Sequence, residues 1–484
     1  MNLTGGKLKL GFATGVLALS LIAAGCSDGT NKSDLRVIHT SDDAPSVNVR
    51  VGKNTAISDL DYAESSGYVE VRSGTKKVVV EAIVLGGNVD AITVDRFDFE
   101  KDRRYNVLAV NQVADIAALV VEESATTPGT DEVAVAIVHA ASVAGAVEIF
   151  VTQPGDALTN PIPLDYLGSV DAGPLPVDTY QIRVTLDGTQ VYDSGPVNLS
   201  GFAGDKLLVA AINSSNTTDS EFSPIKLLVA NDITQAIYPD VMTKVGARVL
   251  HLSPDAGAVD VFATSSALGV DPVKLIPGVE YTQEFPGASA YAKIPVGEYT
   301  FDVVVPASGT SMASDSAYSA TLALTGGVEY SVIALGNAAD GLTGPGNGTE
   351  FGLLPIVDDN RPLTGLARVK ILHGAPDAGL VDVFVTPAGV YDTDDVLAGI
   401  AGDPLLPDFA FGTLTDYLAV PAGDYDVRIV QKSSGAVAID ISAPGITLKA
   451  GLVATVIARQ PDGTDNDPDD FNLVVLANAE ALAP

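Results

Sequence analysis

Histidine is scarce in this 484-residue chain, and its four copies stand in segments that repeat one another. They are LRVIHTSDDAPSVNVRV around His39, VAIVHAASVAGAVEIFVT around His139, RVLHLSPDAGAVDVFAT around His251 and VKILHGAPDAGLVDVFVT around His373. A histidine beside carboxylates can ligate a metal or move a proton, so the neighbouring acids decide what chemistry is on offer. Four residues after the histidine stand Asp43, Val143, Asp255 and Asp377, and nine after it stand Asn48, Glu148, Asp260 and Asp382. A site needing both carboxylates is complete only in the last two segments, yet the histidine occurs in all four. Its shared task cannot depend on those acids. Val135, Ile137 and His139 share one strand face, as do Val369, Ile371 and His373, because side chains alternate with period two. That phase gives a structural reading, in which the histidine sits at the rim of a core with its ring nitrogens bonded to the turn's backbone. A His251–Ser253–Asp255 nucleophile is weaker still. The three crowd onto one turn, Ala375 replaces the serine in the next copy, and no G-x-S-x-G elbow is present. H-E-x-x-H, C-x-x-C, Walker and G-x-G-x-x-G signatures are also missing. The chain reads as non-catalytic.

The strongest remaining chemical signal is acidic. DGTDNDPDD carries Asp462, Asp465, Asp467, Asp469 and Asp470 between two strand-like runs, with oxygen ligands at spacings that suit Ca²⁺. The terminal glutamate and flanking helices of an EF-hand are missing, and a solvated acidic loop is the plainer reading. YDTDD at 391–395 is a second, weaker cluster. No cofactor is required by anything in the chain, and Ca²⁺ is the one candidate.

These residues must be positioned by a repeated element. The histidines are 100, 112 and 122 residues apart, and 111 residues follow the last. A turn and strand recur mid-repeat at 72–83, 175–186, 294–305 and 420–431, and paired apolar strands close each copy. Short alternating runs rich in Val, Ile, Tyr and Phe, punctuated by Gly, Pro and Asp, predict strands and turns. About seven strands per unit predicts four tandem immunoglobulin-like β-sandwich domains over 34–123, 132–232, 245–359 and 366–484. Tyr180, Tyr299 and Tyr425 stand where a tyrosine can pin a sandwich corner, whereas the first copy has Lys76 or Lys77. The linkers are short, which predicts a semi-rigid string of beads. Only Asn231–Lys244, between repeats, offers modest helical periodicity.

The N-terminus reads as an address. Lys7 and Lys9 precede an apolar run over Leu10–Ile22 and small residues up to Cys26, the sole cysteine. That order is a secretory signal peptide, and its end resembles the lipobox of bacterial lipoproteins. The resemblance implies cleavage after residue 25, acylation of Cys26 and a tether over 26–33, with Ser27 pointing to the outer membrane. Ala23 stands where the lipobox most often has leucine. A lipid on Cys26 is then the expected membrane attachment. The chain carries 61 acidic and 27 basic residues, a formal charge of −34 that repels nucleic acid.

The H-x-[SA]-P-D-A-x-x-V-D-V pattern at His251 and His373 resembles the DUF4397 family, a bacterial immunoglobulin-like module of secreted and envelope proteins. Repeat two departs most, with Ser142 and Val143 in place of the turn's proline and aspartate. The resemblance implies fold and location and brings no catalytic residues. The expected function is a lipid-anchored envelope or surface protein whose loops contact an unidentified protein in adhesion or scaffolding. The alternative is binding of an extracellular polysaccharide, against which the absence of tryptophan counts.

Overall fold

The computed structural model describes residues 31–124, 126–215, 222–287, 290–305, 310–342, 348–462 and 471–477. Strands are the dominant regular structure of the described residues, with very little helix. It forms two compact units that part between Lys244 and Val245. Each unit contains two of the sequence repeats.

Repeat one shows the plan. Its strands are β1 (Lys32–His39), β2 (Val47–Val51), β3 (Asn54–Leu60), β4 (Val69–Arg72), β5 (Gly74–Ala82), β6 (Val89–Phe99), β7 (Arg104–Val110) and β8 (Ala117–Val121). They form two sheets, ordered β4-β1-β7-β8 and β3-β2-β5-β6. All pairings are antiparallel except β1 with β7, which run parallel with His39 opposite Ala109. The other three repeats reproduce this order, and His139, His251 and His373 face Ala211, Ala334 and Ala458 across the same parallel pair. Eight strands in this order differ from the expected seven, and the parallel first and seventh strands are foreign to the ABED/CFG arrangement of an immunoglobulin constant domain. The two sheets of each repeat enclose a shared apolar core. In repeat one, Leu35, Val37, Val47, Val49 and Val80 meet in it.

Within each unit the two repeats are packed together and are not separate beads. Within the first unit, Ile38 and Leu108 of repeat one pack against Val138, Leu208, Ile212 and Leu228 of repeat two. Within the second, Leu250, Leu252 and Ile333 of repeat three pack against Leu372, Ile457 and Leu476 of repeat four. The sheet bearing the histidine is therefore buried on both faces, one against its own repeat and one against its neighbour. Strands buried on both faces read as continuous apolar runs, as in EVAVAIVH and KLLVAAIN. Burying such a Val, Leu or Ile contributes about 1.5–3 kcal/mol, so few contacts suffice to hold two repeats together.

The Asn231–Lys244 segment is not helical. Gln235–Tyr238 adds a fifth strand to a sheet of repeat two, and the one α-helix among the described residues is the short Thr393–Leu397. The tyrosine corners do form. Tyr180, Tyr299 and Tyr425 each donate a hydroxyl hydrogen bond to the carbonyl four residues back, on Pro176, Pro295 and Pro421 at 3.0, 2.8 and 2.9 Å. Repeat one fills that end with Phe97, Phe99 and Tyr105, whose ring centroids lie 4.7–5.5 Å apart.

Candidate functional site

Each histidine stands at the end of the first strand of its repeat, last in three and next to last, before Leu252, in repeat three, and is buried. Its Nε2 lies 3.0, 2.8, 2.7 and 2.9 Å from the carbonyl oxygen six residues on, at Pro45, Gly145, Gly257 and Gly379. In repeats two to four Nδ1 accepts the backbone N–H two residues on, from Ala141, Ser253 and Ala375 at 3.3–3.4 Å. A ring with one nitrogen facing a carbonyl and the other facing an N–H is the neutral Nε2–H tautomer. The main chain is engaged too. The histidine N–H donates to the carbonyls of Glu64, Gly168, Gln283 and Thr413, and its carbonyl accepts from Ala63, Leu167, Thr282 and Gly412. Tyr62, Tyr166, Tyr281 and Phe411 present themselves edge-on to the ring at 5.7–6.3 Å. Burial lowers the pKa of His139, His251 and His373, opposed only by the backbone bonds. In repeats two to four the imidazole is thus a cross-link inside a seven-residue turn, with its lone pair and its proton both in use.

Of the acids around it, Asp43, Asp255, Asp260 and Asp382 hold backbone as well. Asp43 accepts from the N–H of Val113 at 2.8 Å, and Asp255 accepts from Ala338 and Ala339 at 2.6 and 2.8 Å, tying the turn to the loop after the seventh strand. Asp377 is held there by Gln460 and Asn337, both at 2.8 Å. In repeat two, where Val143 replaces the acid, its N–H donates to Asn213 at 3.2 Å. Nine residues past the histidine, Asn48, Asp260 and Asp382 accept from the N–H groups of Asp59, Gly278 and Asp408 at 2.8–3.0 Å. Those three N–H groups lie where the register of the third strand shifts, and each of these residues has positive φ. Glu148 stands where the pairing is regular and instead accepts from Thr185 at 3.2 Å. The Ser253 hydroxyl meets Asp255 at 3.4 Å, while His251 turns its Nδ1 to the backbone N–H of Ser253. That arrangement sets up no proton relay to the hydroxyl.

Cys26 and four of the five candidate calcium ligands, Asp465, Asp467, Asp469 and Asp470, lie outside the described residues; Asp462 lies within them. In the second acidic cluster Asp392 and Asp395 form a capping box on Thr393–Leu397, accepting each other's backbone N–H. Among the described residues no group of three or more His, Cys, Asp or Glu could hold a metal.

Two features escaped the sequence reading. The first is a buried arginine on the first strand, stacked on a tyrosine from the fourth-strand region. Arg36 lies 4.6 Å from the Tyr68 ring, Arg248 4.6 Å from Tyr291 and Arg368 4.2 Å from Tyr417. Arg36 donates to Asn106 at 2.8 Å and reaches the carbonyl of Asn231 in repeat two at 2.7 Å. Arg248 donates to Ser331 at 2.7 Å and to Asp358 at 3.4 Å, and reaches the carbonyl of Ala477 in repeat four at 3.5 Å. These guanidiniums pin paired repeats together. Burial pushes the Tyr68 hydroxyl up to about 12 and raises that of Tyr291, so both remain protonated donors. The available signal was an arginine inside an otherwise apolar strand, in RVIH, RVLH and RVKILH.

The second is a cavity of about 230 Å³ between the two sheets of repeat two, lined almost wholly by Val, Ile, Leu and Ala. At roughly 24 cal/mol per Å³, such a volume costs on the order of 5 kcal/mol, comparable to a small domain's whole stability.

No helix among the described residues is long and apolar enough to cross a membrane. No curated protein matches the chain. Its fold is similar over 48% of its length to 98% of a crystal structure of a "putative cell adhesion protein" from Bacteroides ovatus ATCC 8483, at 11% identity and a TM-score of 0.15. That likeness is too slight to carry any argument. The family described as "Domain of unknown function (DUF4397)" matches residues 33–150 and 245–384. Each match begins at the first strand of a unit and ends within the second strand of that unit's second repeat. Together they cover more than half of the sequence, and the chain belongs to the DUF4397 family.

Proposed function

We propose that this is a non-catalytic, lipid-anchored envelope protein that presents four tandem β-sandwich domains for contact with another protein, in adhesion or scaffolding. The domains are immunoglobulin-like in the broad sense of two packed, mainly antiparallel sheets. Cys26 carries the lipid, and the outer membrane is the expected site. The observation that carries this reading is where the reactive side chains are spent. His251 and His373, with Asp255, Asp260 and Asp382, each bond backbone that shapes a turn or a bulge, and the Asp377 carboxylate is taken up by the side-chain amides of Asn337 and Gln460. Variation is left to the loops, as expected of a scaffold that works by display.

Protease shaving of intact cells tests it. Release of the repeats supports surface display, and cross-linking then identifies the protein contacted. Protection until the outer membrane is broken points to scaffolding within the envelope. A second reading, binding of an extracellular polysaccharide, predicts saturable binding on a glycan array. A turnover product from any of the common hydrolase substrates would overturn the non-catalytic reading.

A further inference from the structure

The cavity in repeat two has a local cause. In repeat three, Phe301 and Phe351 point into the equivalent core, whereas repeat two carries Ile182 and Ile225 at the same registers. Likewise Tyr105 and Tyr330 of repeats one and three correspond to Leu207, each opposite the residue four before the histidine on the parallel first strand. Three aromatic positions are thus aliphatic here, and the lost ring volume lies between the sheets. The lining runs from Leu207, near the Tyr180 corner, to Ala211, beside His139. Four residues of strand make that about 13 Å, and the lining also runs across the sheet from Ala172 to Tyr238, so the space is extended and not compact. It also has an entrance. The third strand of repeat two spans only Ile162–Leu164, against seven residues in Asn54–Leu60 and eleven in Gly269–Val279. Behind that short edge Val151, Ile162, Ala172 and Leu175 line the cavity and are only half-buried.

We propose that repeat two binds a single unbranched alkyl or acyl chain between its sheets, with the head group left outside at the short third strand. An apolar lining of this kind offers contact area and no hydrogen-bond partner for a polar ligand, and preformed apolar cavities of smaller volume are known to take up hydrocarbons. The extended form selects a flexible chain over a compact ring. The net charge of −34 disfavours an anionic head, so an uncharged or zwitterionic lipid is preferred to a free fatty acid.

The test uses the full chain carrying Cys26→Ser, so that the expected acylation does not interfere. Dodecylphosphocholine below its micellar concentration serves as the zwitterionic probe and dodecanoate as the free-acid probe, both titrated by calorimetry. The expected result is one saturable site with a negative heat-capacity change, tighter for the zwitterion. The double variant Ile182→Phe/Ile225→Phe imports the rings of repeat three and weakens binding at least tenfold. Leu207→Tyr, as in repeats one and three, does so independently if the double variant fails to fold. Urea midpoints of both variants establish that they are folded. No saturable binding to the parent chain overturns the proposal, as does unchanged affinity in a folded variant. Equal or tighter binding of dodecanoate overturns the preference of head group while leaving the chain site in place.

Discussion

Replacing His251 by alanine separates a structural histidine from a reactive one. The change removes the hydrogen bond from Nε2–H to the Gly257 carbonyl at 2.7 Å and the acceptor for the Ser253 N–H at 3.3 Å. Gly257 is exposed, so water can replace its lost donor, but Ser253 is buried and its N–H is left unpaired. The lost bond is worth about 1 kcal/mol and the orphaned donor about 1–3 kcal/mol. The space left by the ring, packed edge-on to Tyr281, adds about 2 kcal/mol by analogy with other large-to-small core changes. His251→Ala should therefore cost about 4–6 kcal/mol, enough to open the unit beginning at Val245 well before the other. The chain has no tryptophan, so urea unfolding is best followed by far-ultraviolet circular dichroism, with proteolysis reporting which unit opens first. Ser253→Ala should leave the unfolding midpoint nearly unchanged. A reactive histidine held for function at the expense of stability would give the opposite pattern. A midpoint for His251→Ala within about 0.5 kcal/mol of the parent would falsify the cross-link argument.

Further outcomes follow from the same geometry. His139, His251 and His373 have folded pKa values below 6.5, so the unfolded chain takes up protons that the folded chain refuses. Stability is therefore full above about pH 6.5 and falls below it towards the depressed folded values, by up to about 1.4 kcal/mol per pH unit for each histidine. Urea midpoints between about pH 7 and 5 read this directly, and a flat profile there contradicts neutral burial. Asp358→Ala removes the nearer of the two carboxylates of the buried Arg248 guanidinium, leaving Glu284 at 3.9 Å, and should cost about 3 kcal/mol, read as a lower thermal midpoint. Thr282 has φ of +64° with an exposed side chain, so Thr282→Gly should relieve about 1–2 kcal/mol of strain against about 0.5–1 kcal/mol of added chain entropy, a small net gain in urea midpoint. Ala210→Asp places a charge in the apolar face between repeats one and two, and should part them, with faster proteolysis of the 124–131 connection as the readout.

Much of the local structure was legible because each cue acts within one strand or turn. The period-two alternation around His139 and His373 placed both rings on the inward face, and the tyrosines at 180, 299 and 425 announced corners that do form. The acids were harder. Asp255 and Asp377 look like ligands in a list of residues, but their partners come from Ala338, Ala339, Asn337 and Gln460, forty or more than eighty positions away, one of them on another repeat. Asn231–Lys244 was misread because Gln235–Tyr238 is a strand only through its pairing with Leu227–Ala230. Propensity yields to such a partner.

The amino-acid sequence alone determined the fourfold repeat, the β character and the turn chemistry of the histidine, since these depend on spacing and on neighbours along the chain. Tertiary structure decided the rest. The parallel pairing of first and seventh strands brings together segments about seventy residues apart, which no local pattern encodes. The second buried face of the histidine-bearing sheets exists only because one repeat covers another, and an apolar run does not name what covers it. The cavity of repeat two is the sum of aliphatic residues at three registers drawn from different strands and a third strand cut short, and each of these is unremarkable until the sheets are stacked.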